Sequence, residues 1–144
     1  MNPADAKAAI LALLRKTPQL FVLSTVDEDG APQSRLMGAV MVKDGTLVYM
    51  ASDSDARKVR QIQDNPKVQV LCWSADLNEV ATVSGTATME TSPQVRRAFW
   101  DAVPSCAKHY SSPDDPALGI IRISLTRGEY LNRPAGYEII SVAF

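Results

Sequence analysis

Arg57 and Lys58 stand side by side just after Ser52 to Asp55, where a strand pattern gives way to a helix pattern. Ser and Asp cap helix starts by accepting hydrogen bonds from free backbone amides. A helix is therefore expected to open at Ser52 to Asp55, with both cations in its first turns. Unpaired amides and the positive end of the helix dipole already favour an anion there. Further positive charge is unfavourable unless something negative binds nearby, and a phosphate group would explain the arrangement. The competing reading is a solvated helix start in which Asp53 and Asp55 pair with the two cations. Arg35, in the strand-like run Pro32 to Gly38, faces either solvent or a ligand. If its strand pairs with the next one, Arg35 comes near Ala51 and Ser52. Three cations then converge on one dianion, Arg binding through two donors and Lys as a point charge.

Other reactive constellations are weaker. His109 is the only histidine, so a site of paired histidines is excluded. Cys106 precedes it by three residues in a loop-like segment, a spacing that is usually incidental. Cys72 falls in an apolar strand, and both cysteines read as reduced thiols, neither a disulfide framework nor a metal site. Carboxylates are scattered through turns and caps. No glycine-rich phosphate loop of the P-loop or dinucleotide type occurs. Trp73 and Trp100 read as core or interface aromatics. Such a chain fits a site in which a cofactor supplies the chemistry.

The elements that must position these residues follow from periodicity. Asp5 to Lys16 is expected as a helix with Ala6, Ile10, Leu13 and Leu14 on one face, ended by Pro18. Strands are expected at Phe21–Val26, Pro32–Val42 and Thr46–Ala51, joined by turns at Asp27 to Gly30 and Lys43 to Gly45. The helix carrying Arg57 presents Val59 and Ile62 and stops at Asn65-Pro66, with Asn tolerating a left-handed cap. Val68–Trp73 and Val80–Met89 follow as strands, the latter alternating Ala81, Val83, Gly85 and Ala87 with threonines and Ser84. Ser92-Pro93 starts a third helix with Val95, Phe99 and Ala102 on one face. Pro104 to Pro116 reads as loop, Ile121 to Thr126 and Tyr137 to Val142 as strands, and Arg133 to Gly136 as a turn. About seven strands and three helices, with hairpins joining strands directly, predict a largely antiparallel β-barrel with peripheral helices.

The 144 residues suit one domain over 1–144. Apolar residues make up 46% and charged residues 22%, and the net charge is -1. That balance argues against nonspecific nucleic-acid binding, which needs an excess of Lys and Arg. No apolar run approaches the roughly 20 residues needed to cross a bilayer. The first residues lack a cationic leader and a small-residue cleavage site. A cytoplasmic protein without a membrane partner is expected.

The order of these pieces resembles the pyridoxamine 5'-phosphate oxidase-like FMN-binding proteins, within them the small general stress protein type. The matching pieces are the N-terminal helix, Phe21 to Val26, Gly30 to Arg35, Leu47 to Ser52, Arg57 to Ile62, Asn65 to Val68 and Val83 to Ala87. Asp114 to Pro116, Ile120 to Ile123 and Glu129-Tyr130 continue the match. The resemblance implies an FMN-binding split barrel, Greek-key-like, that forms a homodimer with flavin sites at the interface. Arg35 and Lys58 would bind the FMN phosphate, with Arg57 assisting. Arg35, Leu36 and Met37, with Met50, Ala51 and Ser52, would lie along the ring and ribityl chain. The partner subunit would contribute from strands near Trp73 and Val83.

The chain also departs from the oxidases proper. They carry Gln on the strand before the glycine matching Gly85, near Val80 here, and Trp where this chain has Leu131. Their C-terminal Arg-His substrate motif is replaced by Arg133 to Tyr137. Pyridoxamine phosphate oxidation is therefore not the expected reaction. The expected function is a flavin-dependent oxidoreductase acting on an unidentified small molecule, with a stress-response role. A flavin carrier without a substrate of its own, or a dimeric scaffold lacking the cofactor, are the alternatives.

Overall fold

The computed structural model describes residues 1–16, 20–38 and 40–144. Pro18, the expected stop of the first helix, and Ala39, inside the expected second strand, lie outside the described residues. Helix α1 (Pro3–Arg15) begins on Asn2, whose side-chain oxygen accepts from the Asp5 amide at 2.8 Å. Its buried residues are the expected Ala6, Ile10, Leu13 and Leu14. The chain continues through β1 (Phe21–Val26), β2 (Pro32–Met37), β3 (Val40–Lys43) and β4 (Leu47–Asp53) to α2 (Arg57–Asp64). Then come β5 (Lys67–Trp73), β6 (Glu79–Met89), α3 (Pro93–Ala102), a short 3-10 turn (Pro104–Lys108), β7 (Leu118–Asn132) and β8 (Ile139–Ala143). None of the helices among the described residues is long and apolar enough to cross a membrane.

Every strand pairing is antiparallel, in the order β2-β1-β5-β6-β7-β4-β3, with β8 on β7. The long strand β7 acts as a spine. Its first half pairs with β4, its second half with β8, and β6 runs beside nearly all of it. The sheet curls into a half-barrel with three α-helices around it, as the strand count and hairpin signals predicted. At Gly85 the β6–β7 register shifts by one residue. A Cβ there would lie 2.3 Å from the Ser124 carbonyl oxygen, so only glycine permits the close approach.

The alternating side chains sort as expected. Val68, Val70, Cys72, Ala81, Val83 and Ala87 face inward with Phe21 and Leu23 to form the main core. A second apolar cluster lies on the other face of β4 and β7, where Tyr49, Leu118 and Ile120 pack under Phe99, Val103 and Cys106. Asp44 and Gly45 both take positive φ angles, as the Asp-Gly hairpin signal requires.

Several boundaries differ from expectation. The expected Pro32–Val42 strand is two strands, and they do not pair with each other: β2 pairs with β1, and β3 with β4. Strand β4 runs two residues past Ala51. Strand β7 extends to Asn132, because its second half pairs with β6 on one side and β8 on the other. Asn65 ends α2 in an extended conformation (φ -138°), not a left-handed one, because Pro66 disfavours helical geometry in the residue before it. On α3 Phe99 is the buried residue and Ala102 is exposed.

Candidate functional site

The inner face of β1 carries Phe21, Leu23 and Thr25, and that of β2 carries Gln33, Arg35 and Met37. Helix α2 packs against β1 and β6, with Val59 and Ile62 anchoring it as their spacing predicted. That packing places Gln61 over Thr25. The Thr25 hydroxyl donates to Gln61 Oε1 at 2.6 Å, and both residues are buried. Arg35 closes this group. One guanidinium nitrogen donates to Thr25 Oγ1 (2.8 Å), the Gln33 carbonyl (3.0 Å) and the Leu23 carbonyl (3.2 Å); the other donates to Gln61 Oε1 at 3.2 Å. The first turn of α2 brings Lys58 back to β4, where its Nζ donates to Ser52 Oγ at 3.1 Å.

Each of these hydrogen bonds from Arg35 and Lys58 ends on a neutral group. The electrostatics match. Burial, then the neighbouring Arg57 guanidinium, hold the Arg35 pKa below its ordinary value. Burial, then Arg35, lower the Lys58 pKa, against a smaller opposing effect of Asp53. Arg35 thus lies close enough to both Arg57 and Lys58 to be repelled by each. Their convergence was expected from pairing between neighbouring strands. It comes instead from α2 folding back over β1.

The expected cap of α2 is not the one observed. The N-cap position is Ala56, and no side chain caps the helix. Ser52 belongs to β4. Ser54 donates its hydroxyl to the Pro116 carbonyl at 2.8 Å, and Asp53 accepts from the Tyr110 hydroxyl at 2.5 Å. These polar side chains hold the 110–117 segment, so they are withdrawn from the helix start. Asp53 makes its short hydrogen bond to Tyr110 and acts on Lys58 only as a weaker opposing charge. An uncapped helix start flanked by the exposed Arg57 and the partly desolvated Arg35 and Lys58 can hold a dianionic phosphate through charge and free amides together.

The remaining candidate residues divide by face. Ser52 adjoins Lys58 on β4, while the Ala51 side chain packs on the other face of that strand. The Met37 and Met50 side chains are buried in the core, which leaves their backbone to line a site. Leu36 is 61% exposed on the outer face of β2. Trp73 is also on the outer face, at the end of β5, so one chain does not bring it to the cations. Thr25 and Gln61 were not singled out from the sequence. Thr25 carried a signal, a hydroxyl at the third inward position of β1. Gln61 carried none beyond its place beside Ile62. Burial raises the Cys106 thiol pKa, the reverse of what a nucleophilic pair with His109 requires.

A family model described as pyridoxamine 5'-phosphate oxidase matches residues 6–132. The chain belongs to that family. General stress protein 26 of Bacillus subtilis (strain 168) is 28% identical over 127 residues, covering 85% of this chain and 86% of that protein. The crystal structure of General Stress Protein 26 from Bacillus anthracis str. Sterne is 26% identical, with a TM-score of 0.74, over 93% of this chain and 96% of that one. An F420 reductase is 25% identical, with a TM-score of 0.63, over 81% of this chain and 93% of that one. The half-barrel is the family's split barrel, and the resemblance to the general stress protein type holds. Because one of these relatives is an F420 reductase, family likeness by itself does not single out one cofactor.

Proposed function

We propose that this protein is an FMN-binding flavoprotein, a flavin-dependent oxidoreductase acting on a small molecule. The observation that carries this reading is the gathering of Arg35, Arg57 and Lys58 at an uncapped helix start, with the hydrogen bonds of Arg35 and Lys58 spent on neutral groups. The donor set fits a phosphate dianion, whose two charges would relieve the repulsion among the cations. Arg35 and Lys58 would hold the phosphate, with Arg57 beside them. The backbone of Arg35 to Met37 and of Met50 to Ser52 would flank the ring and ribityl chain. FMN supplies reversible hydride or electron transfer when bound, and the protein supplies position and electrostatics. The General stress protein 26 relative supports a place in the stress response.

A homodimer is part of the proposal. Two cross-strand rows on the outer face of the sheet are apolar: Leu36–Val22–Leu71 and Trp73–Val80–Leu131–Ile139. Leu36 and Ile139 are 61% and 59% exposed. A contiguous apolar sheet face suits a second copy of the chain, which would carry Trp73 toward the neighbouring flavin.

An absorbance spectrum of the purified protein, followed by FMN titration, tests the reading. A yellow protein, or quenching of flavin fluorescence on titration, is expected. A colourless protein that leaves FMN fluorescence unchanged overturns it. Anaerobic bleaching of the flavin band by a nicotinamide or deazaflavin donor separates the oxidoreductase from a carrier. The carrier reading draws on the apolar Val80 and Leu131, which stand where the oxidases place Gln and Trp.

A further inference from the structure

A cavity of about 240 Å³ opens between β4 and the 3-10 turn, lined by Gly38, Ala51, Val103, Cys106 and the rim residues Ser105, His109 and Tyr110. We propose that it is a binding subsite for an uncharged, single-ring aromatic molecule. For its importance this inference rests on the flavin reading above, because Ala51 belongs both to the cavity wall and to the strip assigned to the ring. The binding it claims can be tested without flavin.

Size sets the first limit. A dry cavity of roughly 150 Å³ accommodates benzene. The volume here therefore admits one substituted ring, and falls short of the roughly 300 Å³ at which pockets for larger ligands begin. Chemistry sets the second. Val103, Ala51 and Cys106 give apolar walls, and the Cys106 thiol is held in its neutral form by burial. His109 and Tyr110 form an edge-to-face pair at the rim, with ring centroids 6.4 Å apart and planes at 70°, a geometry that offers a ring edge and a ring face to an aromatic guest. Among the described residues, no Lys, Arg, Asp or Glu lines the cavity. A phosphorylated or carboxylated guest would enter without a formal countercharge, and uncompensated burial of charge is costly.

Gly38 supplies the third observation. Its φ is not in the positive range, so the backbone does not require glycine. A Cβ built there meets nothing within 4 Å. The residue thus leaves space on the cavity wall that any side chain would occupy.

The test uses the full chain, with and without FMN, and 4-nitrobenzyl alcohol as the neutral probe. Its dianionic counterpart is 4-nitrophenyl phosphate. His109, the single histidine, gives an unassigned but unique ring-proton resonance to follow by NMR. Saturable shifts with the alcohol are expected, and binding of the phosphate at least about tenfold weaker. Gly38→Leu should weaken the alcohol by at least about tenfold by filling the cavity. Ser105→Leu, at an exposed rim position, should do the same if Gly38→Leu does not fold. No saturable shift in either form, equal binding of alcohol and phosphate, or unchanged binding in the folded variants overturns the proposal. Equal losses of alcohol and FMN in Gly38→Leu also overturn it, assigning the space to the flavin itself. If FMN fails to bind the unaltered chain while the alcohol binds, the flavin reading falls and the subsite stands.

Discussion

Lys58 and Arg35 show how little the type of a residue says without its acceptors. A surface Lys after a strand is ordinary. Here its ammonium donates to Ser52 while burial and Arg35 lower its pKa below the ordinary 10.5. Removing one charged donor to a phosphate costs about 1.5–3 kcal/mol, so Lys58→Ala and Arg35→Ala should each weaken FMN about tenfold or more. Riboflavin, which lacks the phosphate, should change little in the same fluorescence titration. Equal losses for both ligands would remove the phosphate role. The pH dependence follows from the direction of the Lys58 shift. Its pKa is lowered in the free protein, and a bound dianion would raise it. Binding then takes up a proton above the free-state pKa, so FMN affinity should fall as pH rises through that value, still below 10.5. Lys58→Ala should abolish that alkaline loss. If the fall persists in the variant, Lys58 is not its source.

At the scale of elements, α2 and the β6–β7 crossing do the positioning. Helix α2 has eight residues and no side-chain cap, so packing of Val59 and Ile62 and the Gln61–Thr25 bond hold it. That packing, rather than strand pairing, brings Lys58 to Arg35. The segment Ser52 to Asp55 looked like a cap because its residue types are the right ones. The side chains of Asp53 and Ser54 found partners at Tyr110 and Pro116, far along the chain, and no local pattern encodes that choice. The alternating face of β6, by contrast, was legible in full: Ala81, Val83, Gly85 and Ala87 point inward. Only the close approach explains why one of them is glycine. Gly85→Ala forces the β6–β7 backbones apart and should destabilise the fold by about 1–3 kcal/mol. The check is urea unfolding with the slope held common, and a midpoint matching the unaltered chain would sink the argument.

For the whole molecule, the inner face of the sheet builds the core and the outer face remains apolar along two rows. A chain of this kind is expected to bury that face against its own copy. Leu71→Glu places a charge where the two rows adjoin, at the end of the first and two residues from Trp73 in the second, without touching the core or the cations. Sedimentation should show the unaltered chain as a dimer and the variant as a monomer, with FMN binding weakened in parallel. A variant that remains dimeric would place the interface elsewhere.

The sequence by itself determined the strand and helix periodicities, the inward and outward faces, the Asp44-Gly45 hairpin and the family. These depend on side chains within a few residues of one another, or on an ordered set of local patterns. Tertiary structure decided which strands are neighbours, how far β4 and β7 run, and which carboxylates are free. Arg35 meets Lys58 because a helix folds back over β1, and the hydrogen bond of Asp53 goes to Tyr110, which reaches it from another segment. Those outcomes rest on contacts between residues distant in sequence, where competition among partners, not residue type, selects the bond.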